Sequence, residues 1–204
     1  MSRAPPPAPA PAHDSHARGA QARRLRIIAG RWRGRRWQFP AGDIRPTSDR
    51  VRETLFNWLQ GKTAGRRCLD LYAGSGALGL EALSRGAGHC VFVDHDAQVI
   101  GRLGDVLREW SVESDAVQLE RANAAQYLAR AAQPFDLAFL DPPFTGDELA
   151  QSSERLEARG WLASGALVYL EHPRSVPLPA LPATWKPLRS GTAGAVGYDL
   201  YQRN

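Results

Sequence analysis

The chain has 204 residues, 43% hydrophobic and 23% charged, which is ordinary globular composition and enough for one catalytic domain with its own core. No apolar run approaches a membrane span or a secretory signal, so a cytoplasmic protein without membrane contact is expected. The net charge of +5 is local: residues 1–52 carry 12 Arg against 3 Asp, giving +9, and residues 53–204 sum to −4.

In chain order, residues 1–22 are rich in Pro and Ala without apolar periodicity and are expected to be a disordered tail. Residues 23–62 read as a basic hairpin and helix. Arg24 to Ile28 and Arg35 to Phe39 form the two arms around a bend at Gly30 to Gly34, and Val51, Leu55, Trp58 and Leu59 give helical spacing from Asp49 to Gln60, with Gly61 as stop signal.

Residues 63–204 form the main domain. Strands are expected at Cys68–Tyr72, Cys90–Asp94, Ala116–Glu120, Leu137–Asp141 and Leu167–Glu171, with helices near 77–86, 97–110, 124–132 and 147–159. This alternation predicts an α/β fold, a parallel sheet covered by helices on both faces. Pro187–Gly191 and Ala195–Gln202 read as a terminal antiparallel hairpin at one sheet edge. Cys68 and Cys90 lie inside apolar runs as core residues, and no disulfide or metal site is expected.

Ligands of such sheets bind beyond the carboxyl ends of the strands. Three glycines, Gly74, Gly76 and Gly79, follow the first strand of the domain, and Asp94 stands 20 positions after Gly74 at the end of the next. Glycines admit close backbone approach, helix amides act as donors, and a carboxylate at that spacing reaches ribose hydroxyls, so the pattern implies a nucleoside cofactor. Asp70 selects among such cofactors. A carboxylate there repels a dinucleotide's pyrophosphate but holds the cationic amino group of S-adenosylmethionine (SAM), directly or through water. Asp70, Ala73, Gly74, Ser75, Gly76, Gly79 and Asp94 are the candidate cofactor residues, joined by Asn123, which either contacts adenine or caps the following helix.

Asp141-Pro142-Pro143-Phe144 closes the fourth strand and is the candidate catalytic loop. The exocyclic amine of a nucleic-acid base is a poor nucleophile, because its lone pair is delocalised into the ring. Acceptors for its N–H groups, Asp141 and the Pro142 carbonyl, stabilise the charge that develops on nitrogen. Prolines stiffen the loop and Phe144 can stack on an extruded base. Asp141 acts as general base or only as acceptor. Arg24, Arg26, Arg31, Arg33, Arg35 and Arg36 are candidate phosphate contacts, with Trp32 and Trp37 as stacking surfaces for RNA.

Several strings resemble the RsmD family of bacterial methyltransferases. These are Arg26-Ile27-Ile28-Ala29-Gly30, Trp32-Arg33-Gly34-Arg35, Arg45-Pro46-Thr47, Asp49 to Leu59, the glycine loop with Leu80 to Arg85, and Asp141 to Phe144, within a match over residues 26–203. The resemblance implies the Rossmann-like, seven-stranded class I SAM-dependent methyltransferase fold and a monomer. It also implies transfer to the 2-amino group of one guanine (guanine 966) of 16S ribosomal RNA in the small subunit. It carries the ribose role onto Asp94, where family members have Glu; Asp is one methylene shorter. It marks Thr47 and Arg50 as contacts closing over the cofactor's amino-acid end. An adenine amino-methyltransferase and a nicotinamide-dependent dehydrogenase are the competing functions, and the second leaves Asp141 to Phe144 unexplained.

Overall fold

A computed structural model describes residues 23–39, 48–144 and 146–204. Arg23–Arg26 (β1) and Arg36–Phe39 (β2) pair antiparallel with Leu25 opposite Trp37. In β2 the alternation puts Trp37 and Phe39 inward and Arg36 and Gln38 outward, as a two-residue period requires. Helix α1 (Asp49–Trp58) is capped by Ser48, whose hydroxyl accepts from the Val51 N–H at 3.3 Å. Thr47, its neighbour, lies outside the described residues.

The main domain adds β3 (Arg67–Asp70), α2 (Ala77–Ser84), β4 (His89–Asp94), α3 (Ala97–Glu109), β5 (Val117–Arg121), α4 (Ala124–Leu128) and β6 (Phe135–Leu140). α5 (Glu148–Ala158), β7 (Leu162–Pro173), β8 (Trp185–Ala193) and β9 (Val196–Arg203) complete it. The seven strands are ordered β5-β4-β3-β6-β7-β9-β8; β3 to β7 run parallel, and β9 is antiparallel to both β7 and β8. Strands β3, β4 and β6 are nearly continuous apolar runs because helices cover both sides of them.

Several bounds differ from expectation: β3 stops at Asp70 and not Tyr72, and β7 runs from Leu162 to Pro173, beyond Leu167–Glu171 at both ends. Helix α4 stops at Leu128, with Ala129 as its C-cap, and Arg130 beyond it pairs with Glu120 at 2.6 Å. Strand β8 starts at Trp185 and runs through Pro187, which an edge strand accommodates with a register shift before Arg189.

One core lies between the sheet and α1, α2 and α3 and includes Leu25, Ile27, Trp32, Trp37 and Phe39 of the basic hairpin. The other lies beneath α4 and α5. Because the hairpin covers α2, every residue of that helix is buried, Glu81 included. Glu81 accepts from the Ile28 and Ala29 N–H groups at 2.8 and 3.0 Å and from Arg85 Nε at 2.8 Å. Fully buried Arg52 of α1 lies 3.8 Å from Glu81 and donates through Nη2 to Asp49 and to the Arg26 carbonyl. Hairpin, α1 and α2 are thereby fastened together. Cys68 and Cys90 are register neighbours in β3 and β4, free and buried, and burial pushes both thiols up. Among the described residues no helix is long and apolar enough to cross a membrane.

Candidate active site

The strand order reverses between β3 and β6, and the two loops singled out in the sequence leave the sheet on either side of that point. Asp70 pairs with Phe139, and the Leu71 N–H donates to the Phe139 carbonyl at 3.1 Å, so the glycine loop and Asp141 start from adjacent strand ends. This is the crevice where open parallel sheets bind ligands.

The glycine loop is tied from several directions. Gly76 precedes α2 with φ +73°, and a Cβ there would lie 2.3 Å from Leu103 Cδ2. Asp94, at the end of β4, accepts the Gly74 N–H at 2.9 Å through Oδ2 and the Asp96 N–H at 2.9 Å through Oδ1. Asp70 is 2% exposed beneath the loop and accepts the Gly79 N–H at 2.9 Å. Burial pushes its carboxyl up to about 7, against the lowering effect of the Gly79 hydrogen bond and with a further rise from the Asp94 charge. At Gly79 a Cβ would sit 2.3 Å from the Phe92 ring and 2.9 Å from Cys90 Sγ, so the missing side chain there also serves helix-to-sheet packing. Ala73, Gly74, Ser75 and Gly76 form the loop itself.

Asn123 realises the helix-cap alternative. Its Oδ1 accepts from the Gln126 N–H at 2.8 Å, and its own N–H donates to Gln126 Oε1 at 3.1 Å. Any contact with adenine therefore falls to its side-chain NH2 group. Arg50 is exposed in the first turn of α1.

In the reaction loop Asp141 is half-buried, Pro142 buried, Pro143 exposed and the Phe144 ring 43% exposed. Phe144 and Val176 are the exposed large hydrophobic side chains of the described residues. A stacking ring left uncovered beside a partly shielded acceptor is the arrangement that an extruded base would complete.

The six candidate arginines, Arg24, Arg26, Arg31, Arg33, Arg35 and Arg36, are all exposed. Arg26 pairs with Asp49 at 2.8 Å, and Arg31 lies over the Trp32 ring at 4.1 Å. The tryptophans require correction. Trp32 and Trp37 are 6% and 4% exposed and pack on Trp110 with ring centroids 5.3 and 5.7 Å away, so neither presents a face for RNA. Their apolar bodies join the hairpin to α3 instead. Trp37 Nε1 also donates to the Ser75 carbonyl at 2.9 Å, which links the hairpin to the glycine loop. The alternation of β2 already marks Trp37 as the inward partner of Phe39. Glu171, within β7 and 4% exposed, was not among the residues the sequence singled out.

The chain matches the family model for conserved hypothetical protein 95 over residues 25–202. It is 44% identical over 180 residues to "Ribosomal RNA small subunit methyltransferase D" of Escherichia coli, covering 88% of this chain and 90% of the relative. The protein of that name from Haemophilus influenzae is 41% identical over 181 residues, covering 87% and 93%. The solved structure of yhhF from Escherichia coli superposes with a TM-score of 0.82 at 44% identity, covering 88% of this chain and 98% of that one.

Proposed function

The chain belongs to the RsmD family of methyltransferases, and from that premise we propose that it transfers a methyl group from SAM to the 2-amino group of a guanine in 16S ribosomal RNA. The observation that carries this reading is the placement of Asp141 to Phe144 next to the glycine loop across the switch point of the sheet. SAM supplies an activated methyl group on a cationic sulfur. The donor set suits it: a carboxylate at Asp94 matches ribose hydroxyls, and the one at Asp70 matches an ammonium and opposes a pyrophosphate, which disfavours a dinucleotide.

The residues then divide the work. Asp94 receives the ribose, Ala73 to Gly76 line the cofactor's path, Asp70 anchors the amino group directly or through water, and the Asn123 NH2 group meets the adenine edge. Thr47 and Arg50 close over the amino-acid end. Asp141 and the Pro142 carbonyl accept the N–H groups of the guanine amine and hold its nitrogen in line with the methyl group, while Phe144 stacks on the base. The C–N bond forms as the C–S bond breaks, and the surplus proton leaves the nitrogen to Asp141 or to water. The exposed arginines of the hairpin hold RNA phosphates, and the enzyme acts as a cytoplasmic monomer on the small subunit or its RNA.

Incubation with methyl-labelled SAM and small ribosomal subunits from cells lacking the enzyme tests the reading. Label is expected in N2-methylguanosine of 16S RNA. Label in adenosine, or none in the small subunit, would overturn the assignment.

A further inference from the structure

An apolar strand closed by a carboxylate marks Asp94 and Asp141, and the same pattern recurs in β7, where Leu167-Val168-Tyr169-Leu170 is followed by Glu171. The parallel register pairs Leu140 with Leu170, so Asp141, the first residue past β6, follows on beside Glu171, which stays in the sheet opposite Tyr198 of β9. Strand alternation assigns both, with Phe139 and Tyr169, to the face covered by α1. Glu171 is 4% exposed, and the buried Tyr169 hydroxyl donates to its Oε1 at 2.8 Å. Burial, together with the charges of Glu171 and Asp141, pushes the Tyr169 phenol far up, so it stays a neutral donor.

A carboxylate is expensive to remove from water, and a buried one is ordinarily held there by partners. Here it accepts from the Tyr169 hydroxyl, a bond that a neutral glutamine oxygen would serve without the charge. The proposed reaction does have a use for it. During transfer, positive charge moves from sulfur to the amine nitrogen beside Asp141, and a fixed negative charge in a water-poor site favours that movement without reorganising.

We propose that Glu171, tethered by Tyr169, is a positioning residue for methyl transfer, a second fixed negative charge that acts alongside and through Asp141 to favour charge development on the amine nitrogen. It rests on the amine-methylation reading above. Glu171→Gln keeps the size and the acceptor for Tyr169 while removing the charge, Glu171→Asp keeps the charge, and Tyr169→Phe removes the hydroxyl that donates to it.

Steady-state transfer by the full chain to small subunits is the measurement. Glu171→Gln is expected to lower kcat roughly ten- to a hundred-fold, with KM for SAM and for the subunit changed by less than about twofold. Glu171→Asp should recover part of the loss, and Tyr169→Phe should lose less than Glu171→Gln. Wild-type kcat in Glu171→Gln would overturn the proposal, as would Glu171→Asp no better than Glu171→Gln, or losses matched by a fall in melting temperature. If the wild-type enzyme labels no 16S guanine, the amine reading fails and the proposal with it. If wild type and Glu171→Gln label it equally, the proposal fails alone.

Discussion

The glycine loop and the reaction loop leave neighbouring strands of one sheet, yet they are built in opposite ways. The glycine loop is held by Asp70, by Asp94 and by Trp37 of a different element, and the helix behind it is buried on every side. The reaction loop owes its stiffness to two prolines and leaves Phe144 uncovered. The glycine loop is thus held by several elements of the fold, whereas the loop after β6 keeps an exposed ring. Substitutions in the two loops should therefore fail differently.

The largest effect is expected at Asp141. Asp141→Ala should lower kcat by about a hundred-fold or more, because an acceptor aimed at developing charge is lost, while S-adenosylhomocysteine affinity measured by calorimetry stays near wild type. A parallel loss of cofactor affinity would show that the two loops are not separable.

Gly79→Ala should act on the other side of the comparison. Its Cβ would overlap the Phe92 ring, and overpacking of this kind costs about 1–3 kcal/mol, read as a lower melting temperature together with weaker S-adenosylhomocysteine binding. Phe144→Ala should change the melting temperature little, since Phe144 is 43% exposed, and weaken RNA binding by about 1–3 kcal/mol of lost stacking. A stability loss there would mean that Phe144 is a plug and not a platform.

The finest distinction concerns Asp70. Its carboxyl is raised by burial from 3.8 to about 7, so between those values the folded protein holds a proton that the unfolded chain has released. This contribution to stability is fully present below the ordinary value and is lost as pH rises through the folded one. Binding the cationic amino group of S-adenosylhomocysteine favours the ionised form, so affinity should increase as pH rises toward 7. Asp70→Asn, which keeps an acceptor for the Gly79 N–H, should flatten both dependences in melting and calorimetric titrations across that window.

Much of this was legible in the chain itself. Strand runs ending in Asp94 and Asp141, three glycines at a strand-to-helix turn, and the helical spacing from Val51 to Leu59 are local patterns, and each forms near its expected place because each is set by near neighbours in sequence. The same rule applied to β7 points to Glu171, whose significance depends on which strand it pairs with. The basic hairpin was harder to read. Its arginines are exposed as expected, but Trp32 and Trp37 turned inward, since whether an indole faces RNA or protein depends on Trp110, more than 70 residues away.

By itself the sequence determined the order of strands and helices, the two loops and the concentration of positive charge in the first 52 residues, because hydrophobic period, turn chemistry and charge are written locally. Only the tertiary structure decided that β3 and β6 are adjacent, that Trp32 and Trp37 pack on Trp110, and that Glu171 lies next to the end of β6. Those outcomes depend on strand order and burial, which arise when distant segments exclude water from one another.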